Sequence, residues 1–234
     1  MTTVAIVQSN YIPWKGYFDL IRRADHFVLL DSVQYTPRDW RNRNRIRGSH
    51  GDLWLSIPVI HQTRQQLIKD SLIADRGWSR KHWSSIHHAY GRAPAFTWLA
   101  SWLEPLYQQV GDQPLLSTVN HCLLNAICEK LSITTPLYQD YDLLVNVEHY
   151  EPSLRLLKLC QSLNATTYLS GPAAKDYLDV PLFNQAGIRV EWMDYQNYPA
   201  YPQLHQPFEN NLSIIDLLAH MGPASAPYTQ AITG

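Results

Sequence analysis

Apolar residues in the first thirty positions fall into two short unbroken runs, Val4-Ala5-Ile6-Val7 and Phe27-Val28-Leu29-Leu30. A strand with one wet face alternates apolar and polar positions, so an unbroken run predicts burial on both faces, as in a parallel α/β sheet. Lys15 to Ala24, between the runs, carries its apolar residues at helical spacing and predicts the crossover helix. A basic segment follows, then Gly48-Ser49-His50-Gly51 and the strand-like Trp54 to Val59, which together predict a hairpin.

The middle of the chain is helical in pattern. Ser79 to His88 opens on a capping serine, while Pro94 to Tyr107 and Pro114 to Leu131 each place proline near the first turn. Leu154 to Leu163 predicts another helix, and Thr167-Tyr168-Leu169 a short strand ending at Ser170-Gly171-Pro172. A helix near Ala173 to Tyr177, a strand at Ile188 to Trp192 and a Pro/Tyr-rich loop from Tyr195 to Pro207 complete the series. Ser213 with Asp216 resembles a capping pair for a last helix that stops by Gly222-Pro223. The expected fold is α/β, with a Rossmann-like parallel sheet at the N-terminus, a β-hairpin and a helical middle section. One domain is expected over residues 1–222, with a helical sub-lobe around 78–131 and a frayed tail over 223–234.

With 45% hydrophobic residues in a chain of 234, a substantial core is available. A formal charge of -1 lacks the broad basic surface that polynucleotides require, so nucleic acid is an unlikely partner. Three cysteines, without C-x-x-C spacing, support neither a disulfide framework nor a zinc site. The N-terminus runs straight into a strand with no signal peptide, and no apolar run approaches a membrane span, so a soluble cytoplasmic protein without membrane insertion is expected. Oligomeric state is open, and no motif specifies a cofactor or a metal.

Charge is concentrated in one place. Five of the thirteen arginines lie between Arg38 and Arg47, and Arg41, Arg43, Arg45 and Arg47 are two apart, on one face of an extended strand. Guanidinium forks match phosphate or carboxylate oxygens, so Arg41, Arg43 and Arg45, with the interleaved Asn42, are candidates for holding a phosphorylated or nucleotide-linked small molecule. The alternative is an edge strand kept charged against aggregation.

Strand ends supply the other candidates. Gln8, Tyr11 and Lys15 lie around the first strand-to-helix turn, where open α/β sheets collect ligands beside free amides, and Gly16 would permit close backbone approach. Asp31 closes the second strand with Gln34 three residues on, suited to sugar hydroxyls or to ordinary loop bonding. Ser170, Gly171 and Lys175 repeat the turn logic as a phosphate cradle. Lys81 and His82, in Ser79-Arg80-Lys81-His82-Trp83, provide an oxyanion-stabilising cation and a general base, although neighbours on a helix diverge by about 100°. A structural histidine is the competing reading of His82.

Several motifs resemble the WbqC-like family. They are Gln8 to Tyr17, Asp31-Ser32-Val33-Gln34-Tyr35, Asn42-Arg43, Trp54 to Val59, Lys81-His82-Trp83, Tyr168-Leu169-Ser170-Gly171, Tyr177-Leu178-Asp179, Tyr201-Pro202-Gln203 and Leu212 to Leu218. Ser9 stands where that family commonly has proline. The resemblance implies a role in making surface-polysaccharide (O-antigen) precursors, hence a transferase of acyl, aminoacyl or nucleotidyl groups. The strand, turn and helix layout is also similar to HIGH-motif nucleotidyltransferases, but Trp14-Lys15-Gly16-Tyr17 has neither signature histidine. Rival readings are a non-catalytic module for an anionic metabolite and a nucleic-acid-associated protein.

Overall fold

Two apolar clusters lie on opposite faces of one sheet, and the first two strands feed both by alternation. In the computed structural model, which describes residues 1–231, β1 (Thr3–Val7) sends Val4 and Ile6 to one face and Ala5 to the other. Helix α1 (Lys15–Arg23) leads to β2 (His26–Leu29), which sends Val28 one way and Phe27 and Leu29 the other. Double-sided burial is what the unbroken runs predict, and β1 and β2 pair in parallel with Val4 opposite His26.

The hairpin follows as β3 (Arg43–Gly48) and β4 (Gly51–Ser56), antiparallel with Gly48 opposite Gly51. Gly51 has φ +114°, a conformation open to glycine and costly for other residues. Three helices, α2 (Trp78–Tyr90), α3 (Phe96–Val110) and α4 (Leu116–Lys130), form the helical middle section. Ser79 is not the cap expected for α2. The helix starts one residue earlier, and Asp75 receives the Gly77 N–H just before it at 2.8 Å.

The chain then returns to the sheet through β5 (Leu137–Gln139), α5 (Asp140–Leu143), α6 (Pro152–Ser162), β6 (Thr167–Ser170), α7 (Val180–Gln185) and β7 (Arg189–Trp192). Every pairing is parallel and the order is β5-β2-β1-β6-β7. Strand order reverses between β1 and β6, because the chain builds outward from β1 through β2 to β5 and then comes back to the other side of β1. The carboxyl ends of β1 and β6 therefore diverge into a crevice, the place where open α/β sheets take their ligands.

Three details differ from expectation. Helix α7, unforeseen in the sequence, is capped by Asp179, which accepts the Leu182 N–H at 3.2 Å. The last helix, α8 (Ile214–Met221), is capped by Ser213, but Asp216 faces the interior and accepts from Tyr201 Oη and Gln203 Nε2, each at 2.8 Å. The first part of the tail expected to fray from residue 223 lies in 3-10 turns over Gly222–Thr229, with Ser225 and Thr229 buried, and these turns contact α8 and α1. Residues 232–234 of that tail lie outside the described ones. No described helix is long and apolar enough to cross a membrane.

Candidate functional site

A cavity of about 550 Å³ opens at the carboxyl ends of β1 and β6. Gln8 and Asn10 come from the turn after β1, and Ser170 and Gly171 from the end of β6. Trp14, Tyr177 and Tyr195 supply aromatic wall, with Leu30, Val33 and Leu156 as aliphatic wall. Mostly apolar lining with a few converging polar groups is the usual make-up of a small-molecule site. Tyr195 is held edge-on against Trp14, ring centroids 5.3 Å apart, so the Pro/Tyr loop closes one side. Gly16 serves this wall: a Cβ there would overlap Trp14 Cζ2, so the indole occupies the space that a side chain would fill.

Arg155, in the first turn of α6, is the only formally charged side chain among the described residues lining the cavity. Its Nη2 donates to the carbonyls of Glu148 and Tyr150 at 2.8 and 3.0 Å, which fixes the guanidinium. Among the described residues no carboxylate lies within ion-pairing distance of it, and its buried Nε has no partner. A fixed, uncompensated cation in a largely apolar recess gives an anionic group on a ligand a large electrostatic advantage. Sequence reasoning missed Arg155, because a lone arginine on an amphipathic helix has the pattern of a solvated face.

The arginine strand is arranged differently. Arg43, Arg45 and Arg47 share a face of β3 as expected, whereas Arg41 precedes the strand. Asp52 receives Arg45 Nη1 at 2.6 Å and Arg47 Nε at 2.9 Å, and Glu209 lies 3.5 Å from Arg45 Nη2. Arg43 covers the Trp54 ring at 4.3 Å, and Arg41 donates to Asn10 Oδ1 at 2.6 Å. Asn42 is spent on the backbone, donating to the Ile57 carbonyl at 2.8 Å. Most of this charge is therefore neutralised within the protein, and Arg41, Asn42, Arg43 and Arg45 all lie outside the switch-point cavity.

Other expected site residues are also drawn elsewhere. His82 is buried, with Nε2 donating to the Ser56 carbonyl at 3.2 Å and Nδ1 accepting from Tyr11 Oη at 2.8 Å. That tautomer follows because a carbonyl can only accept. Burial lowers the His82 pKa to about 4, so the ring is neutral. Tyr11 also bonds Tyr107 Oη, and its own pKa is raised well above the usual value by burial. Lys81 is exposed and paired to Asp75 at 2.7 Å. Lys175 stands over the Trp192 ring at 5.7 Å.

Lys15 is buried too. Its Nζ donates to the Pro199 carbonyl at 3.0 Å and lies 5.3 Å from the ring centres of both Tyr198 and Tyr201. Burial lowers its pKa to about 8 against the opposing pull of Asp216, so it anchors the aromatic loop and does not reach the cavity. Asp31 is fully buried; Oδ1 accepts the Ser9 N–H at 2.9 Å, while Oδ2 has no partner among the described residues. Its pKa is raised to about 6, by burial first. Gln34 is exposed and bridges to Leu67. Tyr11, Asp31 and Ser170 all follow the carboxyl ends of parallel strands, but only Ser170, with Gln8 and Gly171, lines the cavity.

The described residues contain no group of three or more His, Cys, Asp or Glu side chains placed to hold a metal ion. With Arg155 and its aromatic walls the cavity is suited to an anion and a ring, and its described lining contains no histidine, cysteine, lysine or carboxylate.

Fold and cavity together define an open parallel α/β protein with a cavity at the switch point of its sheet. The chain belongs to the WbqC-like protein family, whose sequence profile matches residues 8–228. It is 45% identical over 229 residues to "Uncharacterized protein Rv1507c" of Mycobacterium tuberculosis (strain ATCC 25618 / H37Rv), with 97% of each chain covered. No solved structure matches the chain.

Proposed function

We propose that the protein binds a phosphorylated or nucleotide-linked small molecule in the β1/β6 cleft and transfers a group from it during surface-polysaccharide precursor biosynthesis. The observation that carries this reading is Arg155, an uncompensated guanidinium in a cavity otherwise lined by rings, aliphatic groups and neutral amides. An anionic group would sit on Arg155, with the ring of the ligand against Trp14 and Tyr195. Transfer between bound reactants depends mainly on positioning and on stabilising charge, both within reach of this residue set. The polysaccharide role rests on the family resemblance alone.

One observation favours a second reading, a non-catalytic module for an anionic metabolite. None of the lining side chains is a histidine, lysine or carboxylate that could shuttle a proton. Turnover of a bound donor separates the two readings.

The binding claim is tested by thermal shift with pyrophosphate, nucleoside diphosphates and nucleotide sugars. A compound present at about a hundredfold its Kd should raise the midpoint by roughly 5 to 10 °C. Arg155→Gln should weaken that binding by about tenfold to a hundredfold, the scale of one charge-assisted hydrogen bond. A panel without any stabilising anion, or an equal shift in Arg155→Gln, would refute the assignment.

A further inference from the structure

We propose that a second cavity, bounded by Asn10, Trp14, Trp40, Asn44, Arg45 and Asn211, binds a neutral polyhydroxylated ring, that is, a sugar residue. Its volume is about 350 Å³, within the range of small-molecule sites. Asn10 and Trp14 line both cavities, so this one lies directly behind the partition of the first.

Charge separates the two sites. Arg45, the sole charged side chain among the described residues lining the second cavity, is already paired with Asp52 and Glu209, so an anionic ligand gains little there. Its Nε is buried and faces away from solvent, so the polar contacts open to a ligand come from the asparagine amides. Asn10 receives Arg41 on Oδ1, which leaves its Nδ2 donors for a ligand, and the exposed Asn211 adds a second amide. Asn44 is fully used, donating to the Tyr11 and Ile12 carbonyls and accepting from the Arg45 N–H, so it is a rigid floor.

Trp40 supplies the platform. Trp40 is 43% exposed, an aromatic face left in water at the mouth of a cavity whose lining is mostly apolar with a few amides. Trp54 braces it at 5.7 Å between ring centroids, and Arg43 in turn covers Trp54. A sugar ring presents a C–H face to pack on the indole and a rim of hydroxyls that both donate and accept. A nucleobase would also stack, but it has fewer groups to meet the two amides.

Binding of the sugar stands independently of the proposed function; only its place as co-substrate, across the Asn10–Trp14 partition from the anionic ligand, rests on that reading. The test is saturation-transfer NMR with methyl glucoside, methyl galactoside, methyl mannoside and N-acetylglucosamine at millimolar concentration. At least one should receive saturation through its ring C–H protons. Trp40→Ala should weaken it by about tenfold or more, and Trp40→Phe by less. Asn211→Ala, at an exposed position, should weaken it several-fold without moving the thermal midpoint. Arg155→Gln should leave it unchanged, and pyrophosphate should not displace it, so failure of the first site is read separately. The proposal is overturned if no glycoside receives saturation, if Trp40→Ala and Asn211→Ala bind as the parent does, or if a free nucleoside binds at Trp40 while no glycoside does.

Discussion

His82→Ala is expected to destabilise the protein by roughly 3 to 5 kcal/mol, since it opens a ring-sized cavity and removes two hydrogen bonds. The bonds lost are those to Tyr11 Oη, which keeps Tyr107 as a partner, and to the part-buried Ser56 carbonyl. Around them Trp78 lies 5.3 Å from His82 and 6.0 Å from Tyr11, ring centre to ring centre, so the ring is enclosed on several sides. For a chain of this size each kcal/mol corresponds to about 2 to 4 °C, which makes the expected fall on the order of 10 °C. A surface general base would leave the midpoint almost unchanged. Calorimetric melting of the variant distinguishes the two, and a shift within experimental scatter would contradict the buried, doubly bonded role.

Asp31→Asn is expected to do the opposite and stabilise the protein at pH 7. With its pKa at about 6 in the fold against the ordinary 3.8, Asp31 holds a proton that the unfolded chain releases. Stability contributed by this group is lost as pH rises through that window, and above pH 6 the cost is on the order of 3 kcal/mol. Asparagine keeps an acceptor for the Ser9 N–H and removes the charge. His82 has the reverse linkage: between pH 6.5 and about 4 the unfolded chain takes up a proton that the folded ring refuses, so stability falls with pH there. In the parent these slopes oppose one another between pH 4 and 6. Asp31→Asn should therefore show a gain at pH 7 that disappears near pH 4, together with a steeper acid limb. Denaturant titrations across that range check it, and a variant no more stable than the parent at pH 7 would contradict the cost assigned to the buried carboxylate.

These two residues also mark where sequence reasoning stops. Val4 to Val7 and Phe27 to Leu30 were legible as parallel strands because burial on both faces leaves an unbroken apolar run. Gln8, Ser170 and Gly171 were legible as residues that share one cavity because the carboxyl ends of parallel strands converge. The arginine strand was legible as a strand, but its charge was not: Glu209 is more than 160 residues from Arg45 in sequence and meets it only in the fold. Lys15 and His82 resembled ligand groups by motif, and only tertiary burial turns them inward. Arg155 gave no local signal, since what distinguishes it is the lack of a nearby carboxylate.

The central claim, that Arg155 anchors an anionic ligand in the β1/β6 cleft, is tested most directly by a crystal structure of the complex with the tightest-binding compound of the anion panel. The account predicts the anionic group within hydrogen-bond distance of the Arg155 guanidinium and the rest of the molecule between Trp14, Tyr177 and Tyr195. An anionic group bound instead on Arg43 and Arg45, with the cleft empty, would contradict it.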